Sequence, residues 1–301
     1  MSSKFLGLLI AAAALSAGMV VVTAQQPDEA VRGAFLESRP KTTNLNAPSR
    51  RQRRRPPVNK NANVNNASST AMNVNATNAN AGAHMHGAKK GVPAIGLGYT
   101  LFMRDADGRG VRVEPTREFR NGDRIRLALE PNTDGYLYIF DSEDGGPARM
   151  IYPDARLDGG ENWIEAHVPM EIPSSDESEE RLRWFEFYGK PGGDRIYVVL
   201  TREPLASVPT GDELVAFCGL NKDKCPWQPS ADVWAQIEKA TKAQVKVATS
   251  KNFGQAQTET EKVATTRGLG LDKSAPQPSV IRINAVSSEP LLVTVLDLVH
   301  K

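Results

Sequence analysis

The chain reads as a mainly β protein, an antiparallel β-sandwich of about nine to eleven strands with two inserted helices, preceded by a disordered N-terminal tail. Three observations carry this. Ile125, Leu127 and Leu129 alternate with Arg124, Arg126 and Glu130, the period of a half-buried strand. Tyr136 to Phe140 is apolar at every position, as in a central strand covered on both faces. Short runs of this kind recur to the end of the chain between Gly-, Pro- and Asp-rich turns.

The first residues of the 301 do not join that pattern. Lys4 precedes the apolar run Phe5 to Val22, and Val22-Thr23-Ala24 before Gln25 puts small residues at −3 and −1 of a cleavage site. Residues 1–24 therefore read as a secretory signal peptide, with an uncleaved anchor as the rival because the run is about 18 residues long. No Cys follows the run, as a lipoprotein anchor would need.

Residues 25–90 hold a single aromatic side chain, Phe35, and few large apolar ones, and 59–80 repeat Asn-Ala and Asn-Val. Such composition does not bury enough apolar surface to fold, so the whole stretch is expected to be a basic, Asn-rich disordered tether. As a flexible chain of about 66 residues it would span on the order of 45 Å. It carries 11 Lys and Arg against 3 Asp and Glu, whereas residues 91–301 carry 25 against 32, so a basic tail precedes an acidic body.

Arg50, Arg51, Arg53, Arg54 and Arg55 form a candidate anion-binding run. Five phosphate contacts on duplex DNA would give a salt slope near −4.5. An exported protein rarely meets nucleic acid, so headgroups, anionic envelope polymers or the acidic body are the expected partners. The bland reading is a solvated run. His84 and His86 would hold a metal only weakly, and no metal or cofactor is expected.

One β-sandwich domain is expected over residues 91–301. Tyr99–Arg104 and Val111–Val113 are strands around the turn Asp105–Gly110, which begins like a calcium loop but lacks its later ligands. Ala148–Tyr152, Trp163–Ala166, Met170–Ile172, Arg183–Tyr188 and Arg195–Thr201 follow, with an acidic loop at 173–180. A helical insertion spans 210–250. Thr210-Gly211-Asp212-Glu213 reads as a capping box, and Val233, Ile237, Ala240, Val245 and Ala248 as the stripe of a longer helix from Pro229-Ser230. A polar loop spans 251–278 and a strand pair, 279–300, closes the chain as a hairpin around Ser287–Pro290. Cys218 and Cys225 are expected to form a disulfide worth roughly 2.5 kcal/mol by loop-closure entropy, more than free thiols or a zinc site.

Asn121-Gly-Asp-Arg-Ile-Arg-Leu127, Asp134-Gly-Tyr-Leu-Tyr-Ile-Phe140, Ile151-Tyr-Pro153, Met170-Glu-Ile-Pro173 and Gly192-Gly-Asp-Arg-Ile-Tyr-Val-Val-Leu200 stand in one order. Together they resemble a DUF4384 domain over about residues 95–205. That resemblance implies a bacterial domain of unknown function, found in exported proteins and beside kinase-like or caspase-like domains, with no established catalytic residues to carry over.

No catalytic motif is present. The domain has only His167 and His300, and lacks Gly-x-Ser-x-Gly, His-Glu-x-x-His and a phosphate-binding Gly-Lys-Ser/Thr loop. His167, beside Val168-Pro169, reads as a turn or edge residue. The expected function is an exported, non-catalytic binding or structural module of the bacterial cell envelope, periplasmic or extracellular, with the tail as tether or anion contact. The alternative is an exported hydrolase using surface carboxylates. Tyr99, Tyr152, Trp163, Trp184 and Trp227 are candidates for a binding surface, each weighed against core packing.

Overall fold

The computed structural model of the chain describes residues 27–42 and 93–301. Among the described residues thirteen strands and four α-helices make two sheets facing each other, with a further layer on each outer side. The expected sandwich is present, with more strands because two-residue pieces contribute. No helix among the described residues is long and apolar enough to cross a membrane. The signal sequence, the Arg run and His84 and His86 lie outside the described residues.

One sheet contains β1 (Gly96–Arg104), β2 (Gly110–Val113), β4 (Arg124–Pro131), β8 (Met170–Ile172), β9 (Phe185–Glu186), β11 (Val245–Thr249) and β12 (Val280–Asn284). The other contains β3 (Glu118–Phe119), β5 (Gly135–Glu143), β6 (Arg149–Tyr152), β7 (Trp163–Ile164), β10 (Gly192–Thr201) and β13 (Leu291–His300). Leu97, Leu101, Leu127 and Leu129 meet Leu137, Ile139, Val198, Leu200 and Leu296 between them. Tyr136, Tyr138, Phe140, Tyr197 and Val199 face the other way and pack under α2 (Asp212–Leu220) and α3 (Ala231–Thr241) through Leu214, Val233 and Ile237. Both faces of β5 are thus covered, which is why its sequence has no polar alternation. The buried Tyr138 hydroxyl accepts from the Leu205 amide at 3.0 Å.

Five expectations are corrected. The first concerns the tail: residues 27–36 are a helix, α1, not disordered chain. Pro27, Asp28 and Glu29 suit a helix start, and Val31 and Phe35, one turn apart, bury against Ala248, Ile281 and Ile283. The second concerns the long helix, which stops at Thr241. Val245 and Ala248 belong to β11, since the β-branched Val245 and Val247 complete an antiparallel edge on β12.

Third, the Thr210 capping box is absent. Gly211, at φ 57, occupies the N-cap, and its amide donates to Gly160 O instead. Ser230 does cap α3, accepting from Val233 N. Fourth, 251–278 is not a structureless loop. It holds α4 (Glu259–Arg267), whose Thr258 and Glu261 form a reciprocal capping box and whose C-cap Gly268 is left-handed. Fifth, the last two strands are not a hairpin. β12 pairs with β1 and β11, while β13 pairs with β10 and, in parallel, β3. Each sheet takes one of them as an inner strand, and together they contribute Val280, Leu292 and Leu296 to the shared interior.

Candidate functional site

The outer face of the first sheet is where charge collects. Register places Gly98 opposite Glu130, Thr100 opposite Ala128 and Phe102 opposite Arg126, and Ala128 opposite Glu171 on the other side. These outward positions would be solvated on a bare sheet. Here residues 27–42 and 251–278 lie over them, so Arg112, Arg126, Glu130 and Glu171 are buried. Gly98 permits the approach, because a Cβ there would sit 2.4 Å from Pro278 Cγ.

Each buried charge has a partner. Arg39 sends Nε to Glu130 Oε1 at 2.8 Å and Nη2 to Glu130 Oε2 at 2.7 Å. Its remaining donors reach the carbonyls of Asp272, Ala275 and Pro276. Arg126 Nη1 donates to Glu171 Oε2 at 2.9 Å and its guanidinium lies over the Trp184 ring at 4.0 Å, while Gln257 donates to Glu171 Oε1. Arg112 pairs with Glu261 of α4 and donates to Ala256 O. Removing one member of such a pair would strand a charge away from water, at a cost of about 3–5 kcal/mol.

His167 is in the turn that leads into the edge strand β8, as expected, but it is buried. It is 2% exposed, with φ 57. Its Nδ1 lies 2.7 Å from Glu130 Oε1 and its Nε2 2.7 Å from Ser38 Oγ. Phe35 meets the ring edge-on at 5.4 Å. With a neutral ring protonated at Nδ1, the Ser38 hydroxyl donates to Nε2. With the ring protonated at both nitrogens, Nε2 donates to Ser38 Oγ and the hydroxyl turns to Phe35 O, 3.1 Å away. The contact therefore closes in either state.

Hydroxyl, imidazole and carboxylate in this order match a nucleophile, its base and an orienting group. Acyl transfer also needs free donors aimed at the developing oxyanion. Four neighbouring amides are engaged: Glu37 N donates to Gly33 O, Arg39 N to Leu36 O, His167 N to Pro131 O and Val168 N to Glu165 O. Glu130 is already matched by Arg39. The adjacent cleft, lined by Glu130, Glu171, Gln257, Glu261 and Thr265, measures about 30 Å³, room for a water or two and far below a substrate pocket. The Ser38–His167–Glu130 chain fixes the end of α1 to the sheet.

A second electrostatic feature lies at the far end of β5. Burial pushes the Asp141 carboxyl up to about 6, with Asp194 and Glu143 adding like charge. Burial, Glu143 and Asp144 raise Asp194 as well. Asp144 is engaged, accepting from Gly193 N at 2.9 Å. In the Asp105 turn the opposite holds. The Arg109 amide, donating to Asp105 Oδ1 at 2.8 Å, holds that carboxyl low and closes the β1–β2 hairpin.

Two of the aromatic candidates are core residues and three are half-buried. Tyr99 and Trp184 are buried, the latter under Arg126. Tyr152 packs at the margin of the inter-sheet core, and Trp163 and Trp227 at the margin of the layer under α2 and α3. The most exposed large apolar side chains are instead Tyr188, at 83%, and Leu220, at 86%. Cys218 and Cys225 are bridged, as expected, with Cα atoms 5.6 Å apart.

Residues 118–204 match the family described as "Domain of unknown function (DUF4384)". The match begins after β1 and β2, which nevertheless complete the same sheet as β4. Neither a curated protein nor a solved structure matches the chain.

Proposed function

We propose, from the premise of a DUF4384 domain at residues 118–204, that the chain is an exported, non-catalytic binding or structural module of the bacterial cell envelope. One observation carries the reading: the buried charges of the outer sheet face are joined in pairs, Arg39 to Glu130, Arg126 to Glu171 and Arg112 to Glu261. Such groups hold layers together rather than act on a substrate. The hydrolase alternative needs facing carboxylates beside a cleft of substrate size; the cleft lined by Glu130, Glu171 and Glu261 is about 30 Å³, and a larger one of about 260 Å³ is lined by a single carboxylate, Asp105. The Cys218–Cys225 bridge supports export, because disulfides persist in oxidising compartments.

Contact with the envelope is assigned to the exposed Tyr188 and Leu220, with Arg50, Arg51, Arg53, Arg54 and Arg55 as an auxiliary anion contact. Retention on isolated envelope separates the two. Residues 25–301 should be retained at low and high salt, and a Tyr188→Ser, Leu220→Ser variant should be lost at both. A contact made by the Arg run would instead vanish in high salt and in a variant with the five arginines changed to Gln. No retention in any condition would end the envelope reading.

A further inference from the structure

The sheet beneath α1 is complete without it. β11, β12, β1 and β4 are hydrogen-bonded in sequence, and no residue of 27–42 pairs with a strand. The segment touches the domain along one face only. Val31 and Phe35 enter the apolar groove of Ala248, Ile281 and Ile283, and Arg39 enters the polar site at Glu130. Ala34, Glu37 and Pro40 face solvent. At 10 residues the helix is too short to be stable alone, so its order comes from docking. Apolar anchors one turn apart on a single helix face, laid in a groove, are how one protein takes a helix from another.

We propose that residues 27–42 are a docked segment rather than a fixed core element. They occupy a groove that selects a helix with apolar side chains at i and i+4, followed past its end by an arginine at i+8, and the same groove accepts this segment from a second copy of the chain. The specificity resides at two places. Phe35 fills the apolar end and packs on His167. The Arg39 guanidinium meets Glu130 with two parallel hydrogen bonds, a fork that Lys does not reproduce. Ser38 and His167 close the space between.

Chain connection does not confine the segment to its own domain. Residues 43–92 join it to β1, and a stretch of that length spans roughly 170 Å at most. Linkage instead favours the domain's own segment by raising its effective concentration, on the order of millimolar for linked modules. Exchange between intact copies is therefore suppressed at ordinary concentrations. Cutting the connection removes that advantage without touching either the groove or the segment.

The test places a specific protease site within residues 60–80 of the chain spanning 25–301 and cuts it after folding. The expected result is that the released N-terminal fragment co-elutes with the domain, and that a fluorescent peptide of residues 27–42 replaces it saturably and reversibly. Peptides carrying Phe35→Ser or Arg39→Ala should compete at least tenfold less well, and Arg39→Lys should be weaker than the native peptide. Placing the substitutions in the peptide leaves the fold of the domain unaltered. Three results would overturn the proposal: loss of the cooperative melt on cutting, a retained fragment that no peptide displaces, or equal competition by all the peptides.

Discussion

Glu130 shows how one side chain can serve two layers. It belongs to a strand whose other face is apolar, and it receives Arg39 from the N-terminal segment and His167 from the loop before β8. Asp141 is the contrasting case, a carboxyl among like charges. Its raised folded pKa means that the native state holds the proton more tightly than the unfolded chain. Stability therefore falls as pH rises from about 4 through about 6 and stays lowered above that. Asp141→Asn should raise Tm at pH 8 relative to the parent, with the gain disappearing below about pH 4, as thermal melts across pH would show. An unchanged pH profile would mean that water or a cation already offsets the repulsion. The candidate site was hard to read at this scale: alternation placed Arg124, Arg126 and Glu130 together on one face, but alternation does not say what covers that face. Glu130 is buried under Arg39, 91 residues away in sequence, and Glu171, the partner of Arg126, is covered by Gln257, 86 residues away.

Among elements, those whose pattern is local were legible. The strands at 125–129, 136–140 and 195–201 and the Ser230 start of α3 all lie where alternation and capping put them. Two helices escaped notice although their local signals are present. Thr258-x-x-Glu261 is a capping-box spacing, obscured because α4 has almost no apolar face, and Pro27-Asp28-Glu29 with Val31 and Phe35 was hidden in a stretch judged by average composition. β11 was lost to a helical stripe because Val245 and Ala248 happen to continue the helical spacing. The capping box gives α4 a measurable dependence. Thr258→Ala should cost about 1 kcal/mol by denaturant melts and speed amide exchange in 259–267, since its hydroxyl accepts from Glu261 N. Uniform exchange in parent and variant would show that α4 is held by the Arg112–Glu261 pair alone.

At the scale of the whole molecule, the two outer layers are attached by different means. α2 and α3 sit on Tyr138, Phe140 and Val199, whereas residues 27–42 combine the apolar anchors Val31 and Phe35 with the Arg39–Glu130 pair, and 251–278 is tied by ion pairs and carbonyl contacts. Both sheets depend on the last two strands, so ending the chain at Pro278 should abolish the cooperative thermal transition; a retained transition would mean that β12 and β13 are dispensable. The same crossing has a consequence for synthesis. Gly96 waits for Ile283 and Arg195 for Asp297, so the first sheet is incomplete until residue 284 has been made and the second until residue 300. A nascent chain in that condition stays open for nearly the whole of translation, the form in which a polypeptide can still be threaded through a narrow channel before it folds.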